Sequence, residues 1–332
     1  MGIDSVTLRR AQARLDRERQ QREQDREDLR RTLFAKEPEL AQIDHQLRGT
    51  VLEIVNSSLQ KGSDPGPALR VLKSRNMDLQ VRQAQLLRGL GYPADALDDQ
   101  PVCALCGDTG WVGARMCQCL KRLCAQEQVA LLDQRLDFEE QSFDSFSLDW
   151  YSPRPWPGED ASPRDNMDFL RDLCFNYAKK FGKFYFKNLF LTGDPGLGKT
   201  FLSACIAKTV AEQGFSVLYE TANELFAAFE AKKFDRDPTG ENGRQVRRYL
   251  GCDLLILDDL GSELVTPFIQ SALYTLVNTR LTAGLATIIS SNLSMGGVRE
   301  RYSGQTASRL EGEYRTLRFY GEDIRLQKKA RL

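Results

Sequence analysis

The sequence predicts an α/β fold: a doubly wound, five-stranded parallel sheet in the C-terminal half, preceded by a helical N-terminal region. Three observations support this prediction. From about residue 166, short apolar runs alternate with amphipathic segments, which is typical of strands joined by helices. The apolar runs lack polar alternation, so each strand is expected to be buried on both faces. A glycine-rich turn follows the first run and leads directly into a helix.

Composition limits the function. The chain has 332 residues, enough for more than one unit, and a formal net charge of zero. That balance excludes a protein that coats nucleic acid by charge alone. The N-terminus has no apolar signal core and no stretch approaches membrane-spanning length, so we expect a cytoplasmic protein without membrane contact. Its eight cysteines should then be reduced. In such a protein a close cysteine cluster indicates metal, and isolated cysteines indicate packing.

Residues 1–100 are predicted to form a helical, partner-binding region. The stretch from Ala11 to Leu33 is so polar that it must be a solvated helix, a coiled-coil arm or partly disordered. Pro38 marks a new helix start. A break at 61–67 precedes a second amphipathic segment, 68–90. Such helices build only a thin core, so the region is either a passive oligomerisation coil or a docking module for a larger partner.

Residues 101–124 are predicted to bind zinc through two close cysteine pairs, Cys103, Cys106, Cys117 and Cys119. A glycine-containing hairpin separates the pairs, which is the spacing of a small tetrahedral site, and Zn²⁺ is the favoured occupant. A redox pair or an iron–sulfur cluster is the alternative. Cys124 is a possible substitute ligand. Because so short a segment has almost no apolar core, the metal would supply its folding energy and stiffen the joint to the next domain.

Residues 125–165 should connect this element to the main domain. We expect a helix through Leu136, then an extended strap with aromatic anchors from Phe138 to Tyr151. The segment 152–158 contains three prolines and cannot be regular structure. The domain itself, 166–332, begins with a helix over 167–181. Strands are predicted at 188–191, 215–219, 253–257, 286–290 and 316–320, and further helices at 199–212, 221–229, 243–250 and 267–281.

The first strand ends in a phosphate-binding loop of the form G-x-x-x-x-G-K-[ST]. The loop comprises Gly193, Asp194, Pro195, Gly196, Leu197, Gly198, Lys199 and Thr200. Its glycines allow successive N–H groups to point at phosphate oxygens, aided by the positive end of the following helix. Lys199 adds a charge for the β- and γ-phosphates, and Thr200 offers a hydroxyl to Mg²⁺. The alternative is a glycine-rich turn with a chance lysine. We therefore predict a nucleotide site with magnesium.

Polar residues at two other strand ends should meet this loop, because ligands of parallel sheets bind at the carboxyl ends of the strands. Asp258 should reach the magnesium, and Asp259 should act as general base or water-orienting carboxylate. Both could instead be aspartates that cap a turn. Asn292 could hydrogen-bond the same water or the γ-phosphate, with an Asx turn or helix cap as the alternative.

The succession GDPGLGKT, LLILDDLGSE, TIISSN, Ser308-Arg309 and Gly321-Glu-Asp-Ile-Arg325 resembles the AAA+ ATPases of the DnaC/DnaI helicase-loader and IstB group. The likeness runs from about Phe143 to the C-terminus. The sequence Cys103-x-x-Cys106-Gly-Asp-Thr-Gly110 behind a helical N-terminus is similar to the DnaC-like replication proteins of Gram-positive bacteria and their phages.

This resemblance implies an AAA+ core that binds ATP. Residues 193–200 would be the Walker A loop, Asp258 and Asp259 the Walker B pair, and Asn292 the γ-phosphate sensor. Arg309 would be an arginine finger acting in the site of an adjacent subunit of an ATP-dependent homo-oligomer, the alternative being a surface salt bridge. Arg325 would match a second sensor.

Two features depart from many AAA+ proteins. Asp259 stands where Glu is common, and Glu263 is near enough in sequence to be considered in its place. The chain ends soon after Arg325, so no separate helical lid is expected, as in the loader and IstB type.

A basic segment between the second and third strands lies where initiator-type AAA+ proteins carry an insertion that lines the path of single-stranded DNA. Its residues are Lys232, Lys233, Arg236, Arg244, Arg247 and Arg248. The alternative is a solvated charged face. The resulting hypothesis is an ATP-dependent replication protein that loads the replicative DNA helicase onto single-stranded DNA. An IstB-like transposition ATPase and a non-hydrolysing ATP-binding adaptor are the rivals. The N-terminal hundred residues and the cysteine cluster favour the loader.

Overall fold

The computed structural model describes residues 4–59, 66–136, 138–234 and 240–331. Two compact units can be separated, one formed by residues 13–117 and the other by residues 1–12 together with 118–332. Helix α1 (Ser5–Lys36) contributes to both. In the described part of the chain no helix is both long and apolar enough to cross a membrane.

The unit of residues 13–117 is mainly helical. After α1 come α2 (Pro38–Leu59) and α3 (Gly66–Gly89), and α2 begins at the predicted proline. The polar stretch of α1 is helical, with most side chains in solvent. The break expected at 61–67 lies largely outside the described residues. A small core made by Leu33, Leu40, Leu87 and Leu97 holds the helices together.

A short hairpin ends this unit, with β1 (Trp111–Val112) antiparallel to β2 (Arg115–Met116). It lies between the two cysteine pairs, as the spacing predicted. Helix α4 (Gln118–Leu136) follows and begins earlier than expected, so that Cys119 lies in its first turn.

The strap from residue 138 to 151 carries apolar anchors into the core of the larger unit. Phe138 and Tyr151 are buried, and Phe143, Phe146 and Trp150 pack against the same cluster. The strap is not extended as predicted, because its backbone forms turns and bends over 138–145 and a 3-10 turn at Leu148–Trp150, and the proline-rich segment after it has no regular structure. The prediction of aromatic anchors is therefore confirmed, whereas that of an extended backbone is wrong.

The larger unit is built on a five-stranded parallel sheet in the order β4-β5-β6-β3-β7, which confirms the predicted fold class. The strands are β3 (Asn188–Thr192), β4 (Val217–Thr221), β5 (Leu254–Leu260), β6 (Ala286–Ser291) and β7 (Tyr314–Arg318). Two are displaced by two residues from their predicted positions, β4 towards the C-terminus and β7 towards the N-terminus.

Helices cover both faces of the sheet. They are α5 (Pro163–Lys179), α6 (Lys199–Glu212), α7 (Ala222–Phe234), α8 (Glu241–Gly251), α9 (Pro267–Thr282), α10 (Met295–Arg301), α11 (Gly304–Glu313) and α12 (Ile324–Arg331). Side chains of β3 alternate between two cores, with Leu189 and Leu191 in one and Phe190 in the other. Helices α10 to α12 were not predicted, because they are short and lack a long apolar period. Side-chain caps at Ser294 and Ser303 begin α10 and α11.

Arg280, at the end of α9, is fully buried, and among the described residues the acceptors of its guanidinium are uncharged. Its guanidinium donates to the carbonyls of Tyr249 (2.6 Å) and Ala286 (2.5 Å) and to the hydroxyl of Thr287 (2.9 Å). It thereby ties the end of α8 to the start of β6. Since every acceptor is buried, loss of the donor leaves several polar atoms without water.

We expect Arg280→Met to lower the free energy of unfolding by about 3 kcal/mol, because buried carbonyls would lose their donor. Urea unfolding of full-length protein measures this. Arg299→Met is the matched control, since Arg299 is exposed and pairs with Glu311 at 2.7 Å, an arrangement that contributes less than about 1 kcal/mol. Equal losses in the two variants would contradict this role for Arg280.

Candidate nucleotide site and cysteine cluster

The loop 193–198 joins β3 to α6 through three glycines with positive φ. Gly193 has φ 149°, Gly196 has φ 77° and Gly198, the residue before α6, has φ 94°. Other residues rarely adopt these angles. The backbone therefore turns tightly and leaves the first N–H groups of α6 available to an anion.

Three distant segments hold this loop. The N–H of Phe319, just after β7, donates to the Thr192 carbonyl at 2.7 Å, and the N–H of Ile324 at the start of α12 donates to the Gly196 carbonyl at 3.0 Å. From the strap, the Tyr151 hydroxyl donates to the Leu197 carbonyl at 3.2 Å. Burial raises the pKa of Tyr151, so the phenol stays a donor.

These contacts leave no room beside two of the glycines. A Cβ at Gly193 would lie 2.2 Å from the Phe319 carbonyl oxygen. At Gly196 it would lie 1.9 Å from a carboxylate oxygen of Asp323. Space therefore requires glycine at Gly193, where the neighbour is backbone, while at Gly196 the Asp323 side chain would have to move and the positive φ is the firmer requirement.

Lys199 folds back onto its own loop. Its ammonium donates to the carbonyls of Gly193 (2.6 Å) and Asp194 (2.8 Å). Burial lowers the pKa of Lys199, although the charges of Asp258, Asp194 and Asp259 oppose that shift. The ammonium lies over the loop where phosphates would bind, and the desolvated charge would interact strongly with them.

Asp258 is buried at the end of β5 and accepts hydrogen bonds from three hydroxyl groups. Thr200 donates to its Oδ2 at 3.0 Å, Tyr219 of β4 donates to the same oxygen, and Ser290 of β6 donates to Oδ1. Burial and the neighbouring Asp258 charge raise the pKa of Tyr219. The carboxylate thus joins α6 to two neighbouring strands and could share a cation with Thr200.

Asp259 points elsewhere because β5 has a bulge there. The β5–β6 register shifts between Leu257 and Leu260, which gives β5 one extra residue. Asp259 has φ 57° and an exposed side chain. Its N–H is held by Asp258 Oδ1 and Ser290 Oγ, both at 3.1 Å. The bulge thus separates a buried aspartate from an exposed one, and left-handed φ in a non-glycine residue often marks a functional position.

Asn292, exposed after β6, lies beside the turn that follows Asp259. A Cβ on Gly261 would be 2.8 Å from its Oδ1. Glu263, considered above as a substitute for Asp259, is buried instead. The Gly261 N–H donates to its Oε2 at 3.0 Å and the Tyr302 hydroxyl donates to Oε1. Both carboxylate oxygens are therefore occupied structurally, and Glu263 cannot take the place of Asp259.

The predicted arginine finger, Arg309, and the predicted second sensor, Arg325, lie in different surroundings. Arg325, in the first turn of α12, is near enough to Lys199 for its charge to lower the lysine pKa, and its N–H donates to Asp323 at 2.7 Å. Arg309 is exposed on α11 and forms no hydrogen bond or ion pair with the residues that the structure describes. The salt bridge offered as its alternative role is therefore not formed there.

The predicted basic segment does not form one uniform patch. Lys232, Lys233, Arg244 and Arg247 are exposed, and Lys233 Nζ lies 4.8 Å from the centre of the Phe268 ring. Arg248 pairs with Asp4 at 2.8 Å. Arg236 lies outside the described residues. On α8 the basic side chains border a cavity of about 820 Å³.

The four cysteines come together. The sulfur atoms of Cys103, Cys106, Cys117 and Cys119 all lie within 4.8 Å of one another, and Cys103 and Cys117 are 3.7 Å apart. Backbone N–H groups of 106 and 105, with the neighbouring thiols, lower the pKa of Cys103 to about 7. Cys124 is buried outside the cluster. A four-thiolate donor set fits Zn²⁺.

Asp108 orders the turn that carries the first pair. Its carboxylate accepts the N–H groups of Val102 (3.0 Å) and Cys103 (2.8 Å) and pairs with Arg22 at 2.7 Å. Burial alone would raise the pKa of Asp108, but these donors lower it. The ionised carboxylate therefore presents the cysteine turn in a defined conformation.

Sequence reasoning missed three residues of the nucleotide site: Tyr151, Tyr219 and Ser290. Ser290 lies at a predicted strand end, where its position could have shown its role. The two tyrosines look like ordinary apolar positions, and only their tertiary contacts reveal polar ones.

Part of the chain is similar to known ATP-binding proteins. Residues 183–330 match the family described as IstB-like ATP binding protein. The replicative helicase loader DnaI of Bacillus subtilis is 30% identical over 145 residues, 42% of this chain and 45% of that protein. A putative ATP-binding protein of insertion sequence IS1162 from Pseudomonas fluorescens is 30% identical over 106 residues, 32% of this chain and 44% of that protein.

The chain thus spans less than half the length of these two curated relatives. Among solved structures, a crystal structure of the DnaC helicase loader is 19% identical, with a TM-score of 0.43, and the match covers 54% of this chain and 98% of that one.

We expect purified protein to contain about one equivalent of zinc by elemental analysis, because four thiolates form a closed structural site. Cys117→Ser should reduce this below roughly half an equivalent and lower the melting temperature, since binding energy is folding energy there. Cys124→Ser is the matched control and should keep its zinc. Loss of zinc in the control, or its absence from the parent, would contradict the assigned ligands.

Proposed function

We propose that this chain, whose residues 183–330 form an IstB-like ATP-binding domain, is an ATP-dependent loader of the replicative DNA helicase. One observation carries the ATP part: the phosphate loop and the buried Asp258 meet through a 3.0 Å hydrogen bond from Thr200. Similarity to the DnaI helicase loader supports the choice of partner.

In this proposal, ATP binds with its phosphates on the loop 193–200. Lys199 exchanges the carbonyls of Gly193 and Asp194 for phosphate oxygens. Thr200 and Asp258 are the residues that would hold Mg²⁺, which neutralises phosphate charge when bound. The clamps from Tyr151 and α12 keep the loop in its anion-binding conformation, so little reorganisation is needed.

Hydrolysis needs a water placed in line with the γ-phosphate. Asp259 is the exposed carboxylate of the pair and would orient that water and accept its proton, while Asn292 would hydrogen-bond the water or the phosphate. Asp259 is shorter than glutamate, but its backbone is fixed by two hydrogen bonds in the bulge. Arg325 would lie near the bound phosphates from the same chain.

Arg309 completes the site of a neighbouring subunit in this proposal. It is exposed and has no described partner in its own chain, which leaves its guanidinium available to a second copy. ATP would then favour a homo-oligomer and hydrolysis would release it. Single-stranded DNA would meet the exposed basic residues of α7 and α8. The helical unit of residues 13–117 would bind the helicase, with zinc holding its cysteine turn.

We expect the parent chain with ATP to increase the amount of host replicative helicase retained on biotinylated single-stranded DNA. Lys199→Ala should reduce retention to the level without ATP, because the phosphates lose their cation. Asp259→Asn should still bind ATP and hydrolyse it at least about 100-fold more slowly. Lys121→Ala, at an exposed lysine of α4, is the control.

The rival functions give different results in this assay. Equal turnover by parent and Asp259→Asn supports the non-hydrolysing adaptor. Capture of a transposase instead of the helicase supports the IstB-like role. If Lys199→Ala retained as much helicase on the DNA as the parent does, ATP binding would not be required for loading.

Arg309→Ala should bind ATP normally but hydrolyse it on the order of 10³-fold more slowly, because an arginine finger stabilises transition-state charge. If Arg309 acts in the site of a neighbouring subunit, mixing two inactive variants should restore activity. Mixing Arg309→Ala with Lys199→Ala should restore part of the turnover, since intact sites of the first meet intact fingers of the second. Arg315→Ala, exposed on β7, is the control. No recovery on mixing, with oligomers present by sedimentation, contradicts the arrangement.

A further inference from the structure

An exposed surface of aromatic rings and lysines lies at the amino end of β3, the end away from the nucleotide loop. Residues 178–187 read A-K-K-F-G-K-F-Y-F-K. Tyr185 is 80% exposed, and Phe169 and Phe175 on α5 are 58% and 40% exposed. We call the rings of Phe169 and Tyr185, with Lys180 and Lys183, the aromatic–lysine surface. Neither the nucleotide site nor the proposed arm uses it, and exposed apolar patches commonly mark interaction sites.

Tyr185 stands on a rigid support. Its ring centre is 4.5 Å from that of Phe184 and 4.6 Å from that of Phe186. Both phenylalanines pack on the buried Tyr177, at 5.8 and 5.9 Å. The Tyr177 hydroxyl donates to the Lys187 carbonyl at 2.7 Å and holds the segment in place. Because the Tyr185 ring is already held in place, stacking of a ligand on it costs little conformational entropy of the protein.

A groove of about 360 Å³ lies between Phe169 and Tyr185, and Asp172, Leu173, Asn176, Lys180 and Phe184 also line it. One wall is aromatic, and the charged lining residues are Lys180 and Asp172, whose carboxylate pairs with Arg171 at 2.8 Å. A planar, polar ring could enter such a groove edge-on or stack against its aromatic wall.

The charge of this surface is positive and available. Lys180 and Lys183 are exposed, and their ammonium groups form no hydrogen bond or ion pair across the described ranges of the chain. The nearby carboxylates of Asp168 and Asp172 share the single guanidinium of Arg171, at 3.5 and 2.8 Å, and the two lysines leave an excess of positive charge over these carboxylates. The two lysines therefore offer their charge to a ligand, and that ligand should be an anion.

We infer that the aromatic–lysine surface binds single-stranded nucleic acid. Unpaired bases stack on exposed rings, and the phosphates between them pair with lysines, which is the combination found here. A protein partner fits less well, because exposed lysines beside the rings would have to be desolvated or matched. Base edges are not read by such a surface, so we expect little sequence preference.

This site is separate from the nucleotide loop. The five residues of β3 place it roughly 17 Å from that loop at about 3.3 Å per residue. The inference shares with the proposed function only the class of ligand, and it needs no ATP turnover. A single-stranded nucleic acid that contacts both this surface and the basic residues of α8 would have a longer bound segment than one that contacts α8 alone.

The test is the binding of fluorescein-labelled oligo(dT) by nucleotide-free, full-length protein, followed by anisotropy. Tyr185→Ala and Phe169→Ala should each weaken binding about 5- to 150-fold, the range for loss of one stacked base. Tyr185→Phe should bind like the parent, because the ring remains. The double variant Lys180→Gln, Lys183→Gln should reduce the salt dependence by about 0.7 per lysine in log–log slope.

Two controls match these changes. Leu264→Ala removes another exposed apolar side chain, 84% exposed, and Lys121→Gln removes another exposed lysine. Both should bind like the parent, and ATP turnover should be unchanged in all variants. The lysine variant keeps the test valid if an aromatic variant fails to fold.

The inference is overturned if the parent does not bind oligo(dT) without nucleotide, or if the ring and lysine variants bind as tightly as the parent. Retained oligo(dT) binding with lost self-association or lost helicase capture would assign the surface to a protein partner instead. Failure of the ATP-dependent proposal would leave the anisotropy result intact, since that experiment contains no ATP.

Discussion

The hydrogen bonding of one buried carboxylate organises the nucleotide site. Asp258 accepts hydroxyl donors from α6, β4 and β6, so three elements remote in sequence meet at one side chain. A buried aspartate without donors would be costly, and here each oxygen has at least one. The cost is largely offset because the same contacts hold the ends of adjacent strands. The position where a cation would bind is thus also a structural joint of the sheet.

The phosphate loop depends on segments that a motif does not include. Its conformation requires glycines, but its position is held by the strap, by the residue after β7 and by the start of α12. Glycine loops are intrinsically flexible, and flexible loops bind anions with an entropy cost. Fixing the loop from outside reduces that cost. The strap and the C-terminal helix therefore contribute to the nucleotide site without touching the phosphates.

The parallel sheet assigns different chemistry to its two ends. At the carboxyl ends of the strands, the phosphate loop 193–200, the acidic pair Asp258 and Asp259, and Asn292 lie at the same edge of the sheet. At the amino end of β3, the chain enters from α5 through a turn rich in rings and lysines. Distance separates the two, so changes in one can be measured without disturbing the other. The cysteine cluster is a third local feature, which depends on the spacing of its thiols and on Asp108 rather than on the sheet.

Much of this could be predicted from the sequence, where the physical signal is local. The strand type, the glycine loop, the separation of the cysteine pairs and the anchors of the strap each follow from neighbouring residues. Strand ends were less certain: β4 and β7 begin two residues away from their predicted positions, because pairing with neighbours decides where a strand begins and ends. Tertiary structure alone decided that Asp258 is buried and Asp259 exposed. Two adjacent aspartates look equivalent in sequence, and a bulge formed by pairing with β6 separates them. It also decided that Glu263 is bound to Tyr302 and that Tyr151 reaches the loop, since such contacts join residues that are close only after the chain has folded.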